Sequence, residues 1–112
     1  MSNGGVKEII DEVIRKYRVT VFIRPGCPHC LGAKNIVRKY IGRVVPQAEV
    51  CFVDIEQQAD SRAFQNYLQL ITGAPAVPSS FINGQFVGGQ QTLRYLHTSG
   101  QLTDMLQTTI KR

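Results

Sequence analysis

The sequence has no long apolar runs, few cysteines and no clusters of positive charge. No apolar run approaches the length that spans a bilayer, and residues 1–6 lack the apolar core of a secretory signal. The three cysteines are too few, and odd in number, for a secreted disulfide framework. These absences predict a protein of a reducing compartment, away from membranes. We expect the cytoplasm, or an organelle if a transit peptide precedes residue 1.

The charge of the chain is positive but dispersed. The net charge is +5, from 13 Lys and Arg against 8 Asp and Glu. No run of basic residues and no nucleic-acid motif accompanies this excess. It therefore favours a cleft for an anionic small molecule over a nucleic-acid surface. At 112 residues the length predicts one domain, residues 1–112, with an ordinary hydrophobic core.

Apolar residues at helical spacing predict a series of helices. These cover roughly residues 5–17, 28 to 40 or 41, 61–71, and two segments after residue 89 that break near Ser99-Gly100. Gly42 is expected to end the second helix, and Asp60 or Ser61 to cap the third. The apolar faces of the last two segments carry Leu93, Leu96, Leu102, Leu106 and Ile110.

β-branched and aromatic residues predict strands at 19–23 and 50–53, the second as another central strand that ends at Asp54. Asn83-Gly84, between apolar runs at 79–82 and 85–87, predicts an antiparallel hairpin. The element order is α-β-α-β-α-β-β-α. It predicts a mixed four-stranded sheet covered by helices on both faces, a three-layer α/β/α architecture.

The stretch Cys27-Pro28-His29-Cys30 lies between the first strand and the second helix. A helix start offers unpaired backbone N–H groups and a positive pole, and both favour a thiolate at the first cysteine. Because the thiolate is the nucleophile in disulfide exchange, we predict a dithiol redox site. The alternative is half of a zinc site, which needs two further ligands. Only Cys51, His29 and His97 remain for it, without a second close pair, so we expect no metal.

The chain resembles the glutaredoxins of the thioredoxin-fold superfamily over nearly its whole length. Five features in order carry the resemblance: Cys27-Pro28-His29-Cys30, Thr72-Gly73, Val77-Pro78, Phe81-Ile82-Asn83-Gly84 and Gly88-Gly89. The resemblance implies a thioredoxin-like fold with a cis peptide bond before Pro78, so that the Val77 backbone faces the active sulfur. It also implies a monomeric enzyme that reduces protein disulfides and glutathione mixed disulfides. Cys27 would be the nucleophile and Cys30 the resolving cysteine.

The resemblance also implies a binding site for glutathione as co-substrate. Arg24 and Gln65 occupy positions that hold its glycine carboxylate. Backbone N–H groups near Gln91 and Thr92 would hold the γ-glutamyl carboxylate, as helix N-termini commonly do for anions. Gly89 would let the backbone approach the ligand closely.

His29 is unusual at its position, where many dithiol members carry Tyr, whereas Pro28 suits a first helical turn. Cys-Pro-His-Cys is instead the sequence of a strongly oxidising periplasmic disulfide donor. An imidazole beside the sulfur would favour the thiolate and a more oxidising disulfide; the alternative is an indifferent exposed side chain. The wider resemblance to the periplasmic donor fails, because this chain has no room for an inserted helical domain.

Three residues depart from the glutaredoxin pattern. Pro75 stands where many members have Arg, Thr92 where an Asp receives the γ-glutamyl ammonium, and Ala76 where Thr precedes Val-Pro. Each lost charged contact costs on the order of 1–3 kcal/mol if it is desolvated. The thiol is therefore either glutathione or a related low-molecular-weight thiol, such as one with a blocked glycine carboxylate, as in trypanothione.

Two other functions remain as alternatives. A glutathione-ligated [2Fe–2S] scaffold is disfavoured by Pro28, because members that hold a cluster usually carry a small residue after the first cysteine. A thioredoxin-type reductant is disfavoured by the missing Trp-Cys-Gly-Pro-Cys motif. Cys51, in an apolar run, is expected to be a buried core residue. His97 receives no role.

Overall fold

The computed structural model describes the backbone of residues 2–108 and the side chains of residues 5–108. The helices are α1 (Ser2–Lys16), α2 (Pro28–Arg38), α3 (Ser61–Thr72), α4 (Gln90–Ser99) and α5 (Gln101–Gln107). The strands are β1 (Val19–Ile23), β2 (Val50–Asp54), β3 (Ser79–Ile82) and β4 (Gln85–Gly88). Short 3-10 turns at Gln47–Glu49 and Ile55–Gln57 flank β2. In this range no helix is long and apolar enough to cross a membrane.

The four strands form one mixed sheet in the order β2-β1-β3-β4. β1 and β2 run parallel, while β3 is antiparallel to both β1 and β4. The predicted mixed sheet is therefore confirmed. The prediction of a second central strand is wrong, because β2 pairs with β1 alone and lies at the sheet edge. All of its residues, including Cys51, are consequently half-buried rather than part of the core.

Each face of the sheet carries its own apolar core. Alternation along β1 sends Val19 and Val21 to the face covered by α2, α4 and α5, and sends Phe22 to the face covered by α1 and α3. Leu93 on α4 and Leu68 on α3 are fully buried on these two faces. Burying such a side chain stabilises the fold by roughly 1.5–3 kcal/mol, so the two cores hold both helix layers on the sheet. This is the predicted α/β/α layering.

Local backbone chemistry sets the element ends near the site. Asp60 caps α3 by accepting from Ala63 N–H at 3.1 Å, and Asp54 ends β2 by accepting from Glu56 N–H at 2.9 Å, both as predicted. α2 stops at Arg38, before the predicted residues 40–41, because the N–H groups of Lys39 and Tyr40 bond carbonyls only three residues back. Ile110, which was predicted to lie on the apolar face of the last helical segment, is outside the residues that the structure describes.

Candidate active site

Cys27 is the residue that caps α2. Its Sγ accepts a hydrogen bond from the N–H of Cys30 at 3.2 Å, and Pro28 occupies the first helical position, where no N–H is needed. Gly26 precedes it with a φ of 72°, a value that favours glycine, and brings the chain from β1 into the helix. The sulfur therefore lies among the unpaired N–H groups at the positive end of α2, as the sequence predicted.

Cys30 lies one turn further along α2 and is only 3% exposed. Burial, followed by the hydrogen bond with Cys27, raises the pKa of the Cys30 thiol to about 12. Both cysteines are free thiols. The two sulfurs thus differ in access, because Cys27 is half-buried and open to solvent while Cys30 is covered.

A groove runs beside the Cys27-Pro28-His29-Cys30 turn, with a volume of about 400 Å³. Its predicted site residues are His29, Val77, Pro78, Gly89, Gln91 and Thr92. The Val77–Pro78 peptide bond is cis, which confirms that expectation. A Cβ on Gly89 would lie 3.3 Å from the Pro78 carbonyl oxygen, so the close approach of these two loops favours glycine there. Pro75, a departure from the family pattern, also borders this groove.

A second cavity, of about 550 Å³, is lined by Cys27, Cys30 and Arg24. The Arg24 guanidinium donates to Gln65 Oε1 at 3.4 Å, so the structure brings these two predicted residues together. Glu56 Oε2 lies 3.7 Å from Arg24 Nε and partly offsets its charge. The predicted binding residues therefore fall into two groups, and the active-site turn contributes residues to both cavities.

Two residues near this site had not been predicted. Gln90, the first residue of α4, brings its Oε1 within 2.8 Å of His29 Nδ1. Its place directly after Gly88-Gly89 was an available signal, since that pair marks a helix entry. Glu56 had no such signal, because it follows β2 in a polar turn. Among the described residues no group of His, Cys, Asp or Glu side chains is arranged to hold a metal.

The remaining candidates lie elsewhere. Cys51 is half-buried on the edge strand β2, and its burial raises the pKa of its thiol. His97 on α4 is hydrogen-bonded through Nδ1 to the Tyr40 hydroxyl at 2.6 Å and packs edge-on against that ring. Neither residue borders the cavities beside Cys27.

Fold and site together define a class of protein: a thioredoxin-like α/β protein with a dithiol at a helix start, whose active-site turn borders the same groove as a cis-proline loop. The glutaredoxin family model matches residues 19–87. Human Glutaredoxin-1 is 36% identical over 101 residues, which cover 90% of this chain and 92% of the human protein. The chain belongs to the glutaredoxin family and is a thiol–disulfide oxidoreductase.

Solved structures agree with this assignment. Oxidised glutaredoxin 2 from Chlamydomonas reinhardtii has a TM-score of 0.83 and 32% identity, over 96% of this chain and 95% of that one. A buckwheat glutaredoxin–glutathione complex has a TM-score of 0.81 over 93% of this chain and 89% of that one. At 24% identity, the buckwheat likeness shows the fold alone.

Proposed function

We propose that this protein uses glutathione to reduce protein disulfides and glutathione mixed disulfides, with Cys27 as nucleophile and Cys30 as resolving cysteine. The observation that carries the proposal is the Cys27 sulfur at the start of α2, in a turn whose His29 borders a groove with Val77-Pro78 and the start of α4. The groove has the volume of a small-molecule site. Membership of the glutaredoxin family, of which a buckwheat protein has been solved in complex with glutathione, supports the choice of ligand.

The reaction begins at the more accessible sulfur. The Cys27 thiolate attacks the glutathione sulfur of a mixed disulfide, the protein sulfur leaves as a thiolate and takes up a proton, and a Cys27–glutathione disulfide forms. A second glutathione thiolate then attacks the glutathione sulfur of that adduct. This releases oxidised glutathione and restores the Cys27 thiolate, so one free glutathione is consumed for each mixed disulfide that is reduced.

Recognition of glutathione is assigned to both ends of the tripeptide. The free N–H groups at the start of α4, at Gln91 and Thr92, suit the γ-glutamyl carboxylate. Arg24, oriented by Gln65, suits the glycine carboxylate, although Glu56 competes for its charge. With Pro75 in place of a cation, we assign more of the binding to the γ-glutamyl end.

Two comparisons of turnover test this assignment. γ-Glutamylcysteine, which lacks glycine, should support turnover nearly as well as glutathione, whereas cysteinylglycine, which lacks the γ-glutamyl group, should not. Thr92→Asp should lower the KM for glutathione about threefold to tenfold, because a carboxylate there would pair with the γ-glutamyl ammonium. The measurement is a coupled turnover assay with a small mixed disulfide.

Thr98→Asp is the matched control, because Thr98 is an exposed residue of α4 that does not border the groove. The change therefore adds the same charge to the same helix, away from the groove. Its KM should equal that of the wild type. Equal turnover with all three thiols would contradict a glutathione pocket. An unchanged KM in Thr92→Asp would contradict the position assigned to the γ-glutamyl group.

Internal closure of the Cys27–Cys30 disulfide should be strongly pH-dependent. Burial, the largest cause of the raised Cys30 pKa of about 12, persists in a Cys27 adduct, whereas the contributions of the Cys27 thiol disappear. We expect the Cys30 pKa to stay above its ordinary value in the adduct, so the thiolate fraction should rise about tenfold per pH unit between about pH 6 and 8. Acid quenching and mass spectrometry after mixing with oxidised glutathione measure closure. A closure rate that levels off below about pH 8 would contradict a buried thiol as the attacking group.

A further inference from the structure

The cavity of about 550 Å³ that Cys27 and Cys30 line has an apolar wall that the fold leaves open. Leu31, on α2, borders this cavity, is 57% exposed and belongs to neither apolar core of the described residues. Pro25 and Pro28 are also exposed and line the same cavity. A single exposed leucine is ordinary, but an apolar wall in a cavity that contains the reactive sulfur can receive an apolar side chain of another molecule.

Lys34 adds a positive charge to this wall. It follows Leu31 by three residues, which places both side chains on one side of α2, and it lines the same cavity. Its Nζ lies 5.5 Å from the centre of the Phe52 ring, a contact that holds the ammonium group near β2. Among the residues that the structure describes, Lys34 forms no ion pair.

The other charged groups of the cavity have partners within the protein. Arg24 donates to Gln65 Oε1 at 3.4 Å and lies 3.7 Å from Glu56 Oε2. The Asp54 carboxylate accepts the N–H of Glu56 at 2.9 Å. Lys34 is therefore the charge with which a ligand in this cavity can pair at the smallest cost, and its preferred partner is a carboxylate.

We propose that this cavity is the docking site for the disulfide-bearing segment of a protein substrate, with an apolar side chain against Leu31 and an acidic side chain at Lys34. The inference rests on the proposed reduction of protein disulfides and adds the class of segment that is preferred. Cys27 forms one disulfide at a time, so glutathione and a protein segment occupy its surroundings in turn. Glutathione has no apolar side chain for Leu31, whereas a protein segment can offer an apolar and an acidic residue near one cysteine.

The chemical step at this site needs no further reactant. The Cys27 thiolate attacks one sulfur of the substrate disulfide, and the other substrate sulfur leaves as a thiolate and takes up a proton. Cys30 loses its proton and attacks the Cys27 sulfur, which releases the second substrate thiol. The substrate gains two electrons, and the enzyme is oxidised to the Cys27–Cys30 disulfide. Docking acts on the first attack, because that step brings the substrate into the cavity.

The test measures how fast peptide disulfides oxidise the reduced enzyme without glutathione, by acid quenching and mass spectrometry. Each substrate is a peptide dimer joined by one disulfide, with Leu and Asp flanking the cysteine in either order. Matched dimers replace Asp by Asn or Leu by Ser. Dividing each rate by that of the same dimer with dithiothreitol removes differences in intrinsic reactivity. About 0.15 M salt screens long-range attraction to the positive chain.

The charge at Lys34 is tested with the Asp and Asn dimers. The wild type should react about twofold to fivefold faster with the Asp dimer, which is the range of a partly exposed ion pair. Lys34→Gln should abolish this preference. Because the preference is a ratio within one variant, any effect of Lys34 on the Cys27 thiolate cancels. Equal rates in the wild type, or an undiminished preference in Lys34→Gln, would overturn the proposal.

Lys39→Gln is the matched control for the charge. Lys39 follows the last residue of α2, is exposed and does not border the cavity. Its preference for the Asp dimer should equal that of the wild type. If Lys39→Gln loses the preference as fully as Lys34→Gln, net charge attracts the peptide and the cavity does not select it, which would overturn the proposal.

The apolar contact is tested with the Leu and Ser dimers. The wild type should react about threefold to tenfold faster with the Leu dimer, because that side chain is partly buried on docking. Leu31→Ser should remove this preference. Leu70→Ser, at a residue that is 77% exposed and lies outside the cavity, should keep it. A preference that survives in Leu31→Ser would overturn the proposed contact.

Other occupants of the cavity give different results. If Leu31→Ser slows oxidation by oxidised glutathione as much as oxidation by the Leu dimer, the cavity serves glutathione. If the wild type dimerises at assay concentrations and Leu31→Ser does not, the wall binds a second copy of the chain. Either result would overturn the proposal. If oxidised glutathione oxidises the wild type but none of the peptide dimers does, the proposed reduction of protein disulfides itself fails, an outcome distinct from equal rates with all dimers.

Discussion

Cys27→Ser is expected to reduce turnover of both mixed disulfides and protein disulfides to the uncatalysed rate with glutathione. The hydroxyl of serine is not ionised near neutral pH and does not attack a disulfide, whereas a thiolate does. The fold should survive the change, because serine is among the best helix N-caps. Its oxygen can accept the Cys30 N–H that the Cys27 sulfur now accepts at 3.2 Å.

This preserved cap makes the variant informative. A similar loss in Cys27→Ala would include loss of the cap, which costs about 1 kcal/mol, whereas Cys27→Ser isolates the chemistry. The measurements are coupled turnover with glutathione and the thermal unfolding midpoint. Cys51→Ser is the control, because Cys51 borders neither cavity beside Cys27, and it should keep wild-type turnover. Substantial turnover by Cys27→Ser would mean that another group is the nucleophile.

The elements that were predicted correctly are those that a few neighbouring residues in the sequence determine. Asn83 and Gly84 have φ values of 53° and 84°, which is the left-handed geometry that a two-residue hairpin requires and that Asn-Gly adopts most readily. Asp60 caps α3 with its own carboxylate. The active-site turn belongs to the same class, because its helix start and its two sulfurs lie within four consecutive residues.

The incorrect and missing predictions concern contacts between distant segments. The apolar composition of 50–53 is equally compatible with a central and an edge strand, because partner strands decide that position and composition does not. The contact between Gln90 and His29 joins residues 61 positions apart, and it depends on the missing Cβ of Gly32. Glu56 reaches Arg24 only because β2 lies parallel to β1 and ends beside it.

Cys30→Ser is expected to separate the two proposed activities. Turnover of glutathione mixed disulfides should stay at the wild-type level or exceed it, because Cys27 and glutathione suffice for that cycle. In addition, the Cys27–glutathione adduct can no longer be converted into a Cys27–Cys30 disulfide. Reduction of protein disulfides should fall sharply, because the Cys27–protein adduct loses the neighbouring thiol that releases it. The buried serine hydroxyl can still donate to the Cys27 sulfur, so we expect at most about 1–3 kcal/mol of lost stability.

The adduct itself is the decisive measurement for Cys30→Ser. With a protein disulfide as substrate and no glutathione present, the variant should accumulate a covalent Cys27–substrate species on non-reducing gels, and the wild type should not. Cys30→Ala is the matched variant, because it removes the thiol without adding a hydroxyl, and it should accumulate the same species. If either variant reduces the protein disulfide at the wild-type rate, Cys30 is not the resolving cysteine. If mixed-disulfide turnover is lost as well while the protein remains folded, Cys30 takes part in the first attack. The assignment of Cys27 as nucleophile and of Cys30 as a resolving cysteine only would then be wrong.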